Sequence, residues 1–391
     1  MTQRRSGSSA QQPASPVLSG LAAEGVSVWL DGLTRSALAD GSFAAWVRGG
    51  AVTGAVLSAA PLLREVRARA GHPYREQIDT LARRRTAPEA IVRALFSHDA
   101  RWACDLLAPV HAAADGLDGW VCVDLPQDTA RDTSSALAAA KSLARVVNRP
   151  NLLIRVPATD AGTDLVSVCA AEGIGVNAAL VHSVDRYTDV LDAYWQGLEH
   201  ALRTGRDLSR HVCVVTVEVA DVERAVDRAL ARSPGGTAAG QLRGRTALAL
   251  ARGVYDIHER ALDSGRWGAL RRAGARPYRI GWSGADAERP AADLDTAGRI
   301  RHVEEIVAWR TAHLLAPGIL TEVAARAAPD GDSLTGEGPT AREFWALLRQ
   351  RGVAVDRLAG ELTEHRVRRL RRHGDGLLAA VRETPSVRAY G

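Results

Sequence analysis

The chain has 391 residues, 46% of them hydrophobic, with 50 basic and 45 acidic side chains, which is enough for one barrel-sized domain or two ordinary ones. A net charge of +5 is too small to indicate a nucleic-acid partner. The sequence has no run of about 18 apolar residues, so it predicts no membrane-spanning helix. The four cysteines lack metal-like or disulfide-framework spacing, which favours a reduced, cytoplasmic protein.

The first residues predict a tail without fixed structure. Met1–Pro16 is polar, rich in Ser and Gln, and lacks the apolar segment of a signal peptide. We therefore expect a disordered tail over residues 1–20 and a single domain over residues 21–391.

Apolar runs that suit buried strands alternate with helical segments, which predicts a parallel β/α architecture. Strands are predicted at Val26–Leu30, Val52–Leu57, Trp120–Leu125, Leu152–Val156, Ile174–Val181, Val212–Val219, Tyr278–Ser283 and Ala312–Leu315. Eight such strands predict a (β/α)8 barrel of the TIM type, whose active site would lie at the C-terminal ends of the strands.

Additional helix is predicted between the second and third strands, over residues 71–114. Thr86 as a capping residue, Pro88 in the first turn and the acidic Glu89 give a strong start signal within this segment. After the last strand, residues 331–339 predict a loop.

Two further helices are predicted after this loop, over Thr340–Arg351 and Asp356–Arg372, and we expect them to wrap the outside of the barrel. The second contains the basic run His365–His373, in which Val367 and Leu370 share a face at helical spacing and leave the arginines outward. Given the small net charge, this pattern favours a solvated helix face over a nucleic-acid footprint.

One strand carries a recognisable motif. Asn151–Thr159 reads Asn-Leu-Leu-Ile-Arg-Val-Pro-Ala-Thr, a short strand buried on both faces. It closely resembles the transaldolase strand Ile-Lys-Ile/Val-Pro-Ala-Thr, whose lysine forms a Schiff base with a ketose phosphate, and Arg155 stands at the place of that lysine. The resemblance is collinear over about Val26–Val381, with further close matches at Val28–Leu33 and Glu172–Asn177. It implies a transaldolase-like barrel, from a family of carbohydrate metabolism.

An arginine cannot supply the chemistry of that lysine. A Schiff base needs a neutral amine, and burial can lower the pKa of a lysine from about 10.4 by several units. The pKa of an arginine is above about 12, so its neutral fraction at pH 7 is on the order of one in a hundred thousand or less. The single lysine of the chain, Lys141, lies in the helical run Asp132–Asn148 beside an apolar stripe, which predicts a surface position.

Two aspartates end predicted strands. Asp31 follows the first strand, and the resemblance implies the aspartate that deprotonates a hydroxyl while a carbon–carbon bond breaks; the alternative is a solvated strand-end or capping residue. Asp124 falls where the family has a glutamate that serves a water in imine formation and hydrolysis. It fits equally well as a salt-bridge partner of Arg155.

The fifth strand carries an amide and leads to a histidine. Asn177 matches the family's asparagine, which implies that its amide orients a substrate hydroxyl or carbonyl. Ala179 replaces a threonine, which would enlarge the pocket. His182 replaces a phenylalanine and is followed by Ser183. His182 is an acid/base candidate because its ordinary pKa is near neutrality, and the alternative is a capping or hydrogen-bonded role.

The sixth strand departs furthest from the family pattern. Thr216 keeps a hydroxyl, Glu218 takes the place of a phenylalanine, and Asp221 takes the place of the arginine that holds the sugar phosphate. An aspartate repels a phosphate dianion, so we expect a substrate that is not a ketose phosphate held in the family's way. In the seventh strand Ser283 matches a family serine.

These residues define the candidate site. The catalytic candidates are Asp31, Asp124, His182 and Glu218, and the substrate-binding candidates are Arg155, Asn177, Ser183, Thr216 and Ser283. A guanidinium inside a barrel needs a partner, so Arg155 either pairs with Asp31 or Asp124 or presents a fork to a ligand carboxylate. No metal-ligand spacing is present, and we expect neither a metal nor another cofactor.

The sequence leaves several functions open. The first is an enzyme without a Schiff base that acts on a small polar metabolite, carboxylated or carbonyl-bearing, by lyase, isomerase or cyclase chemistry in specialised biosynthesis. The second is a non-catalytic homologue that binds a metabolite or a protein partner, with Arg155 paired for structural reasons. An authentic transaldolase would require Lys141 to reach the pocket.

Overall fold

The strands of the protein close into a barrel. The computed structural model describes residues 15–68, 72–125, 132–232, 240–284 and 295–390. The strands are β1 (Val26–Asp31), β2 (Gly54–Leu57), β3 (Trp120–Asp124), β4 (Leu152–Pro157), β5 (Val176–Val181), β6 (Cys213–Val217), β7 (Arg279–Ser283) and β8 (Thr311–Leu315). They pair in parallel in chain order, and β8 pairs with β1. The predicted (β/α)8 barrel is confirmed, and the strand bounds differ from the predicted ones by no more than two residues.

Helices surround this barrel. They are α1 (Pro16–Ala23), α2 (Arg35–Ala39), α3 (Ser42–Arg48), α4 (Ala59–Arg67), α5 (Arg75–Arg83), α6 (Pro88–Ala113), α7 (Thr133–Val147), α8 (Asp160–Ala171), α9 (Val184–Arg203), α10 (Val219–Arg232), α11 (Thr246–Leu262), α12 (Gly265–Arg272), α13 (Thr296–Glu305), α14 (Pro317–Arg326), α15 (Gly338–Gln350), α16 (Val355–Glu383) and α17 (Pro385–Tyr390), with a 3-10 turn at Leu208–Arg210. Within the described ranges, no helix combines the length and apolar composition that crossing a bilayer would require.

Several predicted boundaries need correction. Of the tail predicted over residues 1–20, residues 1–14 lie outside the described ranges, but α1 begins at Pro16 and buries Leu18 and Leu21. Thr86 does not cap α6: the helix begins at Pro88 with Ala87 at the capping position, because the proline ring itself sets the first helical turn. The single domain over residues 21–391 stays a prediction.

The barrel interior changes from apolar to polar along the strands. Alternate residues of a strand face the barrel axis, and Trp29, Cys122 and Leu153 form a buried cluster separate from the core beneath the helices. Gly54 makes room for this layer, because a Cβ at that position would lie 2.6 Å from the Trp29 ring. The next inward positions on these strands carry charged side chains, so a polar layer lies above the apolar one.

The N-terminal end of the barrel holds a buried ionic network. Asp118 accepts hydrogen bonds from the Trp29 indole at 2.9 Å and from the Ser27 hydroxyl. Its carboxylate lies 3.3 Å from a nitrogen of Arg279, and the same guanidinium donates to the carbonyls of Leu117 and Thr311, both at 2.8 Å. These contacts tie β1, β7 and β8 to the turn before β3.

The long helix α16 crosses the C-terminal end of the barrel, and the prediction that it wraps the outside is wrong. Leu370 forms a buried cluster with Ala179 and Leu180 of β5, and Val367 packs against it. The same helix contacts α4, α6 and α10. Arg366, predicted to face solvent, is instead buried beneath the helix at 4% exposure.

Candidate active site

Strand alternation brings the predicted site residues to one end of the barrel. Their side chains are buried, except that Asp124 is 14% exposed. The residues at this end are Asp31, Asp124, Arg155, Asn177, Thr216, Glu218 and Ser283. Parallel pairing in register aligns Asp124 with Arg155 and Arg155 with Asn177 on neighbouring strands, so these residues lie at one level of the barrel.

Arg155 is held between two carboxylates. Its Nη1 donates to Oδ1 of Asp124 at 3.0 Å, and its Nη2 lies 3.8 Å from Oε1 of Glu218. The guanidinium is 6% exposed. Of the two roles that the sequence left open for Asp124, the structure shows the ion pair with Arg155. Since a buried guanidinium is strongly destabilising without a counter-charge, this pair keeps a cation inside the barrel.

Glu218 is a carboxyl of this layer whose pKa is strongly perturbed. It is fully buried, and burial raises its pKa to about 7, although the charges of Arg366 and Arg155 and a hydrogen bond from Ser283 oppose the shift. Burial also raises the pKa of Asp124, against the charge of Arg155. Glu218 can therefore both accept and donate a proton near neutral pH, as acid/base chemistry requires.

Asp221 does not present an unmatched negative charge, which corrects the expectation that it repels anions. It forms ion pairs with Arg224 of its own helix and with Nε of Arg366 at 3.3 Å. Burial raises the pKa of Asp221, but these two guanidinium groups outweigh it, so the pKa lies below its ordinary value.

The sequence reasoning missed Arg224 and Arg366. Arg224 was detectable, since it stands three residues after Asp221 in a helix that begins at the end of β6. Arg366 stands four residues before Leu370, so the two share a helix face.

His182 lies outside the polar layer of the barrel. The pairing of β5 with β6 shifts between Ala178 and Val181, and Leu180 adopts the left-handed region at φ 63°, so the alternation of inward and outward residues ends there. His182 is buried, with its Nδ1 2.9 Å from the Thr363 hydroxyl of α16. Burial lowers its pKa to about 4. The structure thus shows the hydrogen-bonded alternative, with a neutral imidazole at neutral pH.

The remaining candidates divide between the barrel and a helix start. The Asn177 amide donates to the Thr216 hydroxyl at 2.7 Å and to the Val214 carbonyl at 3.2 Å. Ser183 caps α9, where its hydroxyl accepts from the backbone of Arg186, so it belongs to the helix start and not to the barrel layer. The space expected beside Ala179 is taken up by Leu370 of α16.

Lys141 lies on the outer helical layer. Its Nζ is 3.0 Å from Oε1 of Glu172, and its side chain is 39% exposed. It belongs to α7, which packs against β4 from outside and against α8. The predicted surface position of Lys141 agrees with this contact.

The described ranges contain no group of three or more His, Cys, Asp or Glu side chains arranged to hold a metal ion. Asp31, Arg155 and Glu218 are each at most 6% exposed. Charged groups that are close together, shielded from water and perturbed in pKa are characteristic of sites for proton transfer and anion binding.

Comparison with known proteins agrees with the barrel fold. A family model described as Transaldolase/Fructose-6-phosphate aldolase matches residues 28–380, from β1 almost to the end of α16. The chain is 36% identical over 357 residues to the transaldolase of Thermobifida fusca, covering 91% of this chain and 95% of that protein.

Two further relatives give the same result. The transaldolase of Acidothermus cellulolyticus is 35% identical over 364 residues, covering 93% of this chain and 95% of its own. Transaldolase 1 of Streptomyces avermitilis is 35% identical over 361 residues, covering 92% and 93%. The chain belongs to the transaldolase/fructose-6-phosphate aldolase family.

Proposed function

We propose that this member of an enzyme family works without a Schiff base. Its substrate is a small polar metabolite with a carboxylate or a carbonyl group, and its chemistry is acid/base catalysis of the lyase, isomerase or cyclase type. One observation carries the proposal: Arg155 occupies the barrel interior between Asp124 and Glu218, whereas the single lysine, Lys141, is paired with Glu172 outside it.

The position of Lys141 argues against an imine through that residue. The amine would have to leave Glu172 and pass through the packed layer between α7 and β4 to reach the polar end of the barrel. A guanidinium in its place has no accessible neutral form at pH 7. What Arg155 can do is bind a carboxylate through two parallel hydrogen bonds or hold a carbonyl oxygen that gains negative charge.

Glu218 is the proton-transfer group in this proposal. Its raised pKa keeps protonated and ionised forms populated near pH 7. With the substrate carbonyl on Arg155, Glu218 removes a proton from the adjacent carbon and the guanidinium stabilises the resulting enolate oxygen. Asp124 and Asp31 assist by holding Arg155 and the substrate hydroxyls. His182 is better suited to positioning α16, because its pKa of about 4 leaves no imidazolium at neutral pH to act as a general acid.

Specific observations favour two alternative functions. The relatives are named transaldolases, which favours transaldol transfer itself. The packing of Leu370 over Ala179 and the low exposure of Arg155 and Glu218 favour a non-catalytic protein that binds a metabolite or a protein partner. In our proposal, substrate entry requires the middle of α16 to move away from the strand ends.

Borohydride trapping with fructose 6-phosphate tests the Schiff-base question. We expect no covalent adduct on the natural protein by mass spectrometry, and an adduct on Arg155→Lys, which places an amine in the barrel. The variant serves as the positive control for the trapping conditions. An adduct on Lys141 of the natural protein would overturn the proposal and establish the transaldolase alternative.

A second experiment separates catalysis from binding. A screen of hydroxy- and oxo-carboxylic acids by proton NMR in heavy water should reveal exchange or conversion that Glu218→Gln abolishes while the circular dichroism spectrum is unchanged. If no compound exchanges or reacts, and Glu218→Gln alters only thermal stability, the non-catalytic alternative is the correct one.

A further inference from the structure

Two cavities meet at Asp124, on the outer side of the polar layer. One, of about 240 Å³, lies between α6 and α16, and the other, of about 680 Å³, lies between α6 and α7. The larger volume is within the range of about 300–1,000 Å³ that small-molecule sites occupy. The Asp124 side chain is 14% exposed, whereas those of Arg155 and Glu218 are 6% and 0% exposed. Both cavities therefore reach the accessible edge of the polar layer.

Helix α6 supplies the wall that the two cavities share. Arg93 and Phe96 line both of them and stand three residues apart, so they lie on the same face of the helix. Phe96 is 7% exposed, whereas Arg93 is exposed. A buried aromatic ring and a solvated guanidinium are therefore neighbours along this wall.

The larger cavity has mainly apolar walls. Its described apolar lining residues, besides Phe96, are Ala90, Ala94, Ala138, Ala139, Leu143 and Val146. Val146 is 51% exposed, so a molecule in this cavity would cover apolar surface that now faces water. Removing such surface from water is favourable, and the lining therefore suits a molecule with an apolar body.

The charge of this lining is positive. Arg93 and Asp124 are the charged side chains among the described lining residues of the larger cavity. The carboxylate of Asp124 is matched by Nη1 of Arg155 at 3.0 Å. Arg93 forms no ion pair within the described ranges, because Glu89, the acidic residue one turn earlier, pairs with Arg382 at 2.5 Å. The unmatched guanidinium favours an anionic group such as a carboxylate.

The smaller cavity is bounded by α16. Leu370 lines it and also packs over Ala179 of β5. Movement of the middle of α16, which substrate entry requires in the proposed function, would therefore join this cavity to the polar layer. A molecule held at Arg93 would then have one end at Arg155, directly behind Asp124.

We propose that the two cavities form the specificity pocket of the active site, and that the substrate is an oxo acid whose carboxylate and carbonyl are separated by an apolar body. Arg93 binds the carboxylate, Phe96 and the facing side of α7 cover the apolar body, and the carbonyl reaches Arg155 past Asp124. The role of the carbonyl rests on the proposed function. The pocket itself is defined by its own lining.

Isothermal titration calorimetry on the full chain, near neutral pH and at low salt, tests the pocket with three unreactive probes. We expect saturable one-to-one binding of 4-phenylbutyrate. Its amide, which lacks the charge, should bind about 2- to 5-fold more weakly, the effect of one exposed ion pair, and added salt should reduce this difference. Acetate, which lacks the apolar body, should bind at least about 10-fold more weakly than 4-phenylbutyrate. No saturable binding of 4-phenylbutyrate, or equal binding of acid and amide, would overturn the proposal.

Matched arginine variants assign the carboxylate to Arg93. Arg93→Gln should weaken 4-phenylbutyrate about 2- to 5-fold and leave the amide unchanged, whereas Arg93→Lys should keep most of the affinity. Arg101→Gln is the control, because Arg101 is an exposed arginine two turns later on α6 that is not among the described lining residues of either cavity. Equal weakening by Arg93→Gln and Arg101→Gln would mean that overall charge attracts the anion, and the assignment would be wrong.

A second pair of variants tests the apolar part of the pocket. Ala138→Trp places a large side chain in the larger cavity from an exposed position of α7 and should abolish binding of 4-phenylbutyrate. Ala112→Trp, at an exposed position near the end of α6 outside both described linings, should leave it unchanged. Binding that Ala138→Trp does not affect contradicts the proposal, and the arginine variants decide the matter if Ala138→Trp fails to fold.

The pocket and the proposed function can fail separately. Glu218 is not among the described lining residues of either cavity, so Glu218→Gln should bind 4-phenylbutyrate as the natural protein does. Such binding without conversion of any compound would support the pocket and contradict the proposed function. If an oxo acid is converted, Arg93→Gln should raise its KM and leave kcat unchanged. An unchanged KM would show that the reaction takes place without this pocket.

Discussion

The two ends of the barrel both bury charged side chains, but they satisfy them differently. At the N-terminal end, Asp118 accepts from the Trp29 indole and the Ser27 hydroxyl and faces Arg279. At the C-terminal end, Glu218 lies 3.8 Å from Arg155 and burial raises its pKa. The first end uses each charge to hold strands together. The second retains a carboxyl that is poorly stabilised when ionised, which costs stability and suits proton transfer.

The largest effect is expected from Asp118→Ala at the N-terminal end. The change leaves Arg279 beneath the barrel without its carboxylate, and removing one partner of a buried pair costs about 3 kcal/mol or more. Urea unfolding should show this loss in the free energy of unfolding. Asp189→Ala is the matched control, because Asp189 also faces an arginine, Arg186, but is 56% exposed and lies within α9, where alanine fits the backbone; it should change stability by less than about 0.5 kcal/mol.

If the two aspartate variants lose the same free energy of unfolding, the network around Asp118 adds no more stability than a surface ion pair. The contrast between the ends of the barrel would then fail at its N-terminal end. Activity toward any substrate that the screen identifies should be unchanged in Asp118→Ala, provided that the variant is measured where it is folded.

Glu218→Gln at the C-terminal end should increase the free energy of unfolding, whereas Asp118→Ala decreases it. Because the folded-state pKa of Glu218 is raised above 4.5 to about 7, its contribution to stability is present at acidic pH and is lost as pH rises through about 7. Glutamine removes this loss, so the variant should be more stable than the natural protein by about 3 kcal/mol near pH 8. The two proteins should converge near pH 4.

His182 makes the stability of the protein fall toward acidic pH. The Glu218→Gln variant should retain this dependence. Its pKa is lowered from 6.5 to about 4, so its contribution is present above pH 6.5 and is lost as pH falls toward 4. Unfolding curves of Glu218→Gln across this range should therefore keep the acid-side loss and lack the part of the alkaline-side loss that comes from Glu218. A stability difference between the two proteins that is independent of pH would contradict the raised pKa of Glu218.

The fold was accessible from the sequence because the strands are short apolar runs with turn residues between them. Leu152–Pro157 illustrates this, since burial on both faces leaves no ambiguity about a solvent-facing side. The alternation of residues also placed Arg155 and Asp124 on one surface. Their ion pair followed from the rule that a buried guanidinium needs a counter-charge.

The side chains that cover the site could not be predicted from the sequence in the same way. Arg366 reaches Asp221 only because α16 crosses the strand ends, and a helix with one apolar stripe can lie in several places on a barrel. His182 leaves the barrel because of a local shift in β5 near Leu180, which a regular alternation cannot anticipate. Long-range packing and backbone irregularity decided both positions.

Arg366→Gln should have a smaller effect on stability than the two changes above. Asp221 keeps its pair with Arg224, so the loss should be below the roughly 3 kcal/mol that removing the sole partner of a buried charge costs. Among the charges that lower the pKa of Glu218, that of Arg366 has the largest effect. Its removal should raise that pKa and move the acid limb of the pH–rate profile to higher pH, because Glu218 must be ionised to accept a proton.

Arg368→Gln is the matched control for this prediction. Arg368 lies on the same helix and is 63% exposed. It forms an ion pair with Glu364, four residues earlier in the chain. It should change stability by less than about 0.5 kcal/mol and leave the pH–rate profile unmoved. A profile that responds equally to both substitutions would show that Arg366 acts through overall charge and not through its position at the strand ends.

The smallest effect is expected from Lys141→Gln. The pair with Glu172 is exposed on both sides, 39% and 33%, so stability should change by less than about 0.5 kcal/mol, and Lys141→Arg should be indistinguishable from the natural protein. Any conversion found in the substrate screen should proceed at the same rate in both variants, because neither change reaches the polar layer of the barrel. Loss of conversion in Lys141→Gln and Lys141→Arg alike, with folding intact, would mean that the amine itself takes part in the reaction. The functional contrast would then lie between the inside and the outside of the barrel, and no longer between its two ends.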